Sequence, residues 1–268
     1  METYLNLEKL SNDLKNLFQN QNQNEKKMKI LLKEDLIPNQ ISEKLIQFQK
    51  LQENENEKEL NQFIEKEKSF IFKTRFTFQS EIIQEVEHIN KLKEWINDNE
   101  FFFKIKLGFS AKRDGFDCKN WHSKVDGKGK TLVIIKTEDN FIFGGFTQVG
   151  WTTDRSKWRE EDRRDSNAFI FSLRNDKGDR KPEKFSIQKG KEQFSIYFNY
   201  SYFGPFFGNG YSAFPDFHLE ENLKTGWSNF GNSYNLPNGI TYKSNEAKSY
   251  LAGSYSSWRV DELETYFN

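Results

Sequence analysis

Cys118 and His122 stand four residues apart in the run Cys118-Lys119-Asn120-Trp121-His122. A thiol and an imidazole at that spacing could serve as nucleophile and base, or as two ligands of a metal. The chain holds one Cys and three His, His88, His122 and His218. A structural zinc site takes four N or S ligands, so neither metal binding nor catalysis is expected there. His122 is expected instead to hydrogen-bond the backbone of a nearby turn. Glu262 and Glu264 form a second pair. Two apart on a strand, they share one face at about 6.5–7 Å, a spacing that by itself does not define a glycosidase. Gly129-Lys130-Thr131 resembles the end of a phosphate loop, but the place of that loop's first Gly is Lys124. The run also precedes a strand, where a phosphate loop would open a helix. The expectation is therefore no catalytic residue, no cofactor and no metal.

Other charged clusters read as architecture or as contact surface. Arg113-Asp114-Gly115 and Asp126-Gly127 are turn devices, because Asp accepts backbone N–H bonds and Gly takes positive φ. Arg113 is expected to pair with a carboxylate and pin the turns together; the alternative is that these loops form part of a docking face. Between Asp154 and Asp165, Arg155, Lys157, Arg159, Glu160, Glu161, Arg163 and Arg164 surround Trp158. This is either a solvated loop of mixed sign or a partner epitope, since Arg and Trp are enriched at hot spots. The run 197–217 is dense in rings, Gly and Asn. It could stack on sugars or pack over a core. Gly144-Gly145 inside a strand implies close approach of another backbone or of a large ring such as Trp151.

The elements that must position these residues fall into two regions. Of 268 residues, 40 are basic and 40 acidic. The formal charge of zero argues against a general nucleic-acid binder, which needs a basic surplus. Before about residue 70 the chain has no Gly and no Trp, its one Pro is Pro38, and Lys, Glu, Asn and Gln dominate. Leu7, Leu10, Leu14 and Leu17 step as one helix face, and so do Ile41, Leu45 and Phe48. This helical extension over 1–70 is either a coiled coil or hairpin that docks a partner, or a solvated extension lying on its own domain. Its heptads are too broken for a long autonomous coiled coil.

From 71 to 268 the signals are mostly strands. A helix is expected over 80–97, with Ser80 as N-cap, an apolar stripe from Ile82 to Ile96, and Asn97-Asp98-Asn99 as its end. Strands are expected over 101–109, 131–137, 141–147, 168–173 and 194–199. Phe169, Phe171 and Leu173 form one row, and Phe194, Ile196 and Phe198 another. Rows of Phe, of which the chain has 27, can stabilise a two-sheet core. At the C-terminus Trp258 and Val260 share one parity while Leu263 and Thr265 share the other. Either one strand runs through with a bulge near Asp261-Glu262, or two short strands meet there. The fold class expected is α+β, an antiparallel two-sheet β-sandwich with flanking helices after an α-helical extension. One Cys excludes an intramolecular disulfide and fits a reducing, cytoplasmic compartment. No run approaches the ~18–20 apolar residues of a membrane span, and Met1–Asn24 does not read as a secretory signal. The acceptor triplet Asn199-Tyr200-Ser201 would be idle in that compartment.

Six motifs in order resemble the TLDc domain family. They are Phe109-Ser110-Ala111-Lys112-Arg113-Asp114-Gly115-Phe116; Trp121-His122-Ser123-Lys124-Val125-Asp126-Gly127-Lys128-Gly129; Phe141-Ile142-Phe143-Gly144-Gly145-Phe146-Thr147; Ala168-Phe169-Ile170-Phe171-Ser172-Leu173; Tyr202-Phe203-Gly204-Pro205-Phe206-Phe207-Gly208; and the closing Trp258-Arg259-Val260-Asp261-Glu262-Leu263-Glu264-Thr265-Tyr266. The resemblance runs from about Phe78 to Asn268 and does not reach the extension. It implies a β-sandwich that binds proteins and transforms no substrate, with a vacuolar-type proton-pumping ATPase or another large assembly as partner and a link to oxidative-stress protection. Where the family often has Cys this chain has Val125, and Cys118 lies seven residues earlier. A direct thiol-scavenging role is therefore not carried over. The alternatives are a structural component of a cytosolic or cytoskeletal assembly held by its N-terminal helices, and a carbohydrate-binding or hydrolytic sandwich. The candidate interface residues are Arg113, Asp114, His122, Asp126, Trp158, Arg159, Arg163, Arg164, Glu262 and Glu264.

Overall fold

The computed structural model describes residues 80–154, 164–174, 181–197, 202–209 and 215–268. The expected helices of the extension lie outside the described residues, as do Trp158, Arg159 and Arg163. Phe78–Asn268 is one compact unit. It opens with two helices, α1 (Val86–Ile96) and α2 (Asn99–Lys104). Strand β1 (Lys106–Ser110) then leads into the short α3 (Ala111–Asp114) and into α4 (Cys118–Val125). The strands β2 (Thr131–Thr137), β3 (Ile142–Thr147), β4 (Phe169–Arg174) and β5 (Glu183–Ser186) follow. After them come β6 (Phe203–Phe207), β7 (Phe217–Glu220), β8 (Thr225–Ser228), the helix α5 (Asn245–Ser249) and β9 (Trp258–Phe267).

Local chemistry accounts for the helix limits, and the structure corrects three expectations. Helix α1 starts at Val86, not at Ile82, and Asn97 closes it in the left-handed region at φ 49°. The Ser80 hydroxyl accepts from Ile82 and Ile83 N–H at 3.1 and 2.8 Å, forming a turn ahead of the helix. The expected strand over 101–109 begins only at Lys106, because the Asp98 carboxylate accepts from Phe101 N–H at 2.9 Å and caps α2. The expected strand over 194–199 is corrected too. Glu192–Phe194 is a 3₁₀ turn, and Ile196 makes one bridge to Phe207. Helix α4 carries no strand-like alternation. The Asp117 side chain starts it by accepting from Lys119 and Asn120 N–H at 2.8 and 3.2 Å.

Pairing joins the nine strands of the described residues into one antiparallel sheet in the order β5-β4-β3-β2-β9-β8-β7-β6, with β1 also on β9. The ten-residue β9 belongs to both halves. Its residues 262–267 lie against β2, and Trp258 and Arg259 against β8. Lys136 faces Glu262 while Thr137 faces Val260, so Asp261 is the extra residue of a bulge. The bulge reconciles the parity change: Trp258 and Val260 enter the core before it, and Leu263 and Phe267 after it. One strand with a bulge is therefore the arrangement adopted.

Each face of the β1–β5 half is covered. On its outer face, Trp95 of α1 meets the rings of Phe169 and Phe171 at 6.4 and 6.3 Å, and Phe101 meets Phe146 at 5.5 Å. The Phe169 row thus lies under a helix instead of between sheet halves. The inner face meets the β6–β8 half. Phe143 packs edge-on to Phe217 at 5.4 Å, and Phe207 stacks on Phe217 at 4.9 Å. A Cβ on Gly145 would lie 2.5 Å from the Phe207 ring. The ring that requires this Gly is therefore Phe207, and Trp151 sits behind it at 5.5 Å.

Candidate interaction surface

Register places Glu264 opposite Ile134 and Ser110. Its side chain is on the outer face and fully buried. It accepts from the Ser80 hydroxyl at 2.5 Å, from Glu81 N–H at 2.7 Å and from the Tyr266 hydroxyl at 2.8 Å. Glu262, also buried, accepts from Lys112 N–H at 3.2 Å, Leu263 N–H at 2.9 Å and the Ser110 hydroxyl at 3.4 Å. Burial pushes both carboxyls up, and the Glu264 charge adds to the effect on Glu262. These are two staples. Glu264 ties the 80–83 segment to the last strand, and Glu262 ties down the start of α3.

The next carrier of charge is the α3–α4 corner. The Arg113 guanidinium grips Asp114 through Nε to Oδ1 at 3.0 Å and Nη2 to Oδ2 at 2.7 Å. Lys124 adds an ion pair to Asp114 at 3.1 Å, and Ser110 N–H donates to it at 3.1 Å. The Arg113 guanidinium beside it holds the Asp114 carboxyl well below the usual carboxylate range. Arg113 also donates to the Gly108 carbonyl at 3.2 Å, so it does pin adjacent turns.

His122 is buried on α4. Its Nδ1 lies 2.8 Å from Asp126 Oδ1, and its Nε2 2.9 Å from the Phe203 carbonyl. The backbone partner is therefore on β6 instead of in a neighbouring turn. The other oxygen of Asp126 accepts from Thr153 N–H at 2.9 Å and its hydroxyl at 3.1 Å. Cys118 is fully buried, and burial pushes its thiol up to about 11, so a nucleophilic thiolate is not available. Val125 is packed in the core cluster. Of the charged 154–165 run, Arg164 is exposed. Sequence reasoning passed over Asp165 and Asp216. Asp165 accepts from the Thr147 hydroxyl at 2.9 Å and Gln148 N–H at 2.6 Å. Asp216 accepts from the N–H of Gly231, Ser233 and Tyr234 at 2.8–3.2 Å. A lone acid among rings and glycines was the available signal for Asp216.

The α3–α4 corner meets the β7–β8 turn. Cys118 N–H donates to the Glu221 carbonyl at 3.0 Å, and the Lys224 ammonium lies 5.3 Å from the Phe116 ring centroid. In the turn, Asn222 Oδ1 accepts from Lys224 and Thr225 N–H at 2.8 and 3.1 Å. Leu223 takes φ 51° and is fully buried. Its Cδ2 stands 2.3 Å, and Leu219 Cβ 3.1 Å, from where a Cβ on Gly204 would be, which accounts for Gly204 in the run Tyr202-Phe203-Gly204-Pro205-Phe206-Phe207-Gly208. An open groove of about 550 Å³ lies between corner and turn, lined by Phe116, Asp117, Glu220, Glu221, Asn222, Thr225 and Trp227. Trp227 is 44% exposed. Among the described residues no group of three or more His, Cys, Asp or Glu could hold a metal ion, and no helix is long and apolar enough to cross a membrane.

Known proteins provide two further findings. The family model for the TLDc domain matches residues 76–266, the stretch that contains all six motifs. MTOR-associated protein MEAK7 of Gallus gallus is 32% identical over 74 residues, 28% of this chain. The matched segment is 15% of the length of that relative.

Proposed function

The chain belongs to the TLDc domain family, and from that premise we propose that it is a non-enzymatic module that binds another protein, a vacuolar-type proton-pumping ATPase in the first instance. Its contribution to oxidative-stress protection then runs through that binding instead of through thiol chemistry. The observation that carries the reading is the fate of the charged motif residues. Asp114, His122, Asp126, Glu262 and Glu264 each hold neighbouring segments of the domain in place, which leaves turns and rims to meet a partner. Exposed Arg164 is a candidate contact, and Trp158, Arg159 and Arg163, which lie outside the described residues, are proposed with it on sequence alone. We read the two halves of the sheet as the layers of a sandwich, a reading supported by the Phe143–Phe217 contact. The division into an extension over 1–70 and a binding domain over 71–268 belongs to the same proposal, as does a cytoplasmic location.

The test is capture of purified vacuolar-type ATPase by the full chain, followed by size-exclusion chromatography. Co-elution is expected, and its absence at micromolar protein overturns the ATPase assignment. The name of the Gallus gallus relative records association with MTOR, which supports the broader reading of a module that associates with another protein. The second reading, a structural component held by its N-terminal helices, is separated by removing residues 1–68. Capture that survives the truncation supports the module. Recovery that depends wholly on the extension, in a filament or scaffold, supports the structural role.

A further inference from the structure

The groove between the α3–α4 corner and the β7–β8 turn combines two kinds of surface. Phe116 and the exposed Trp227 supply ring faces, and Asp117, Glu220 and Glu221 supply carboxylates. The acid surplus is local, since the whole chain is neutral. One cation of the protein already shows how such a wall is used, because Lys224 rides over the Phe116 ring at 5.3 Å. A second, Arg259, occupies the Thr225 rim, with Nη1 3.5 Å from the hydroxyl. The carboxylates do not converge on one point that would hold a metal ion. They line the groove together with the rings, a combination that suits several cations on one extended chain.

We propose that this groove docks a basic segment of a partner protein, one that presents Lys or Arg side chains to Glu220 and Glu221 and lays aliphatic or guanidinium surface on Trp227. The proposal rests on the reading of the domain as a protein-binding module and names the chemistry of what it grips. Arg is the better fit for the rings, because its planar guanidinium stacks on an aromatic face while still donating to a carboxylate. Asn222, which also lines the groove, the Cys118–Glu221 backbone bond and the buried Leu223 hold the turn. The Glu220 carboxylate lies 3.5 Å from His218 Nε2, and Glu220→Gln keeps an oxygen there, so Glu220→Gln, Glu221→Gln and Trp227→Ala leave that scaffold in place.

The test uses the full chain and a fluorescein-labelled synthetic peptide of alternating Arg and Leu, followed by anisotropy at low and raised salt. Saturable binding is expected, weakened by salt. The Glu220→Gln/Glu221→Gln double variant and Trp227→Ala should each weaken binding about tenfold. Lys224→Gln should strengthen it about two- to threefold by removing a competing cation, a gain that a misfolded protein would not produce. No binding by the wild type, equal binding of a peptide with Gln in place of Arg, or indifference to all the variants overturns the assignment. ATPase capture separates the two levels of the argument. A wild-type chain that captures the ATPase but ignores the basic peptide refutes the groove and leaves the module reading standing. A chain that binds the peptide through the groove but captures no ATPase keeps the groove and removes the ATPase.

Discussion

Gly145→Ala tests the close approach on which the inner core depends. A Cβ at this position would lie 2.5, 2.6 and 2.8 Å from three atoms of the Phe207 ring, whereas carbon atoms in favourable contact are about 3.5–4.0 Å apart. The ring would have to retreat by about 1 Å. It has little room, because it is fully buried with Trp151 at 5.5 Å and Phe217 at 4.9 Å. Overpacking of this kind costs about 1–3 kcal/mol. In a domain of this size that corresponds to a fall in Tm of about 2–4 °C per kcal/mol. Phe207→Leu removes ring atoms at the point of collision and carries its own cavity cost. Combined with Gly145→Ala, the two losses should sum to less than their separate values, with a coupling of about 1–2 kcal/mol. Urea unfolding followed by Trp fluorescence and circular dichroism on the four proteins of the cycle measures this. Gly144→Ala should cost more than Gly145→Ala, since its Cβ would meet the Val133 carbonyl oxygen at 1.9 Å and backbone cannot swing away. A Gly145→Ala protein within about 0.5 kcal/mol of wild type, or strict additivity in the cycle, would refute the reasoning.

Three further expectations follow from the buried groups. Burial pushes the Asp216 carboxyl up to about 7, so the folded state holds its proton more tightly than the unfolded chain. The stability this contributes is fully present below the unfolded value near 4 and is lost as pH rises through about 7. Urea midpoints should fall between pH 5 and pH 8, and Asp216→Asn should flatten that slope while lowering stability throughout; an unchanged slope in the variant excludes Asp216 as the source. Because the Cys118 thiol is buried and pushed up to about 11, a thiol reagent at pH 8 should label it only after denaturant is added. Cys118→Ala should leave any oxidative-stress protection unaltered, and loss of protection in a stable variant would restore a thiol role. Removing the Ser80 hydroxyl deprives buried Glu264 of a donor at 2.5 Å, so Ser80→Ala should cost about 1–3 kcal/mol. Faster hydrogen exchange at Ile82 and Ile83 should accompany that loss; uniform exchange across the domain would show that the staple is not local.

Chemistry that acts between neighbours in the chain was legible in the residues. The apolar run over Thr131–Thr137, the stop at Asn97 and the parity change around Asp261 each follow from side chains within a few positions, and each is found in place. The helix over Asn99–Lys104 was not legible as such, because three Phe in a row suit a strand equally well and one cap from Asp98 decides the matter. Tertiary packing alone settled which rings meet across the sheet. Gly145 signals a close neighbour in any sequence, but only the fold places Phe207 against it, 62 positions later in the chain. The same holds for Glu264, whose donors at Ser80 and Glu81 lie 184 and 183 residues away, and for His122, whose backbone partner is 81 residues distant. Local sequence specifies torsions and faces, since those depend on bonds and nearest neighbours. Which faces touch depends on how β9 passes from one half of the sheet to the other, and no short window of residues contains that information.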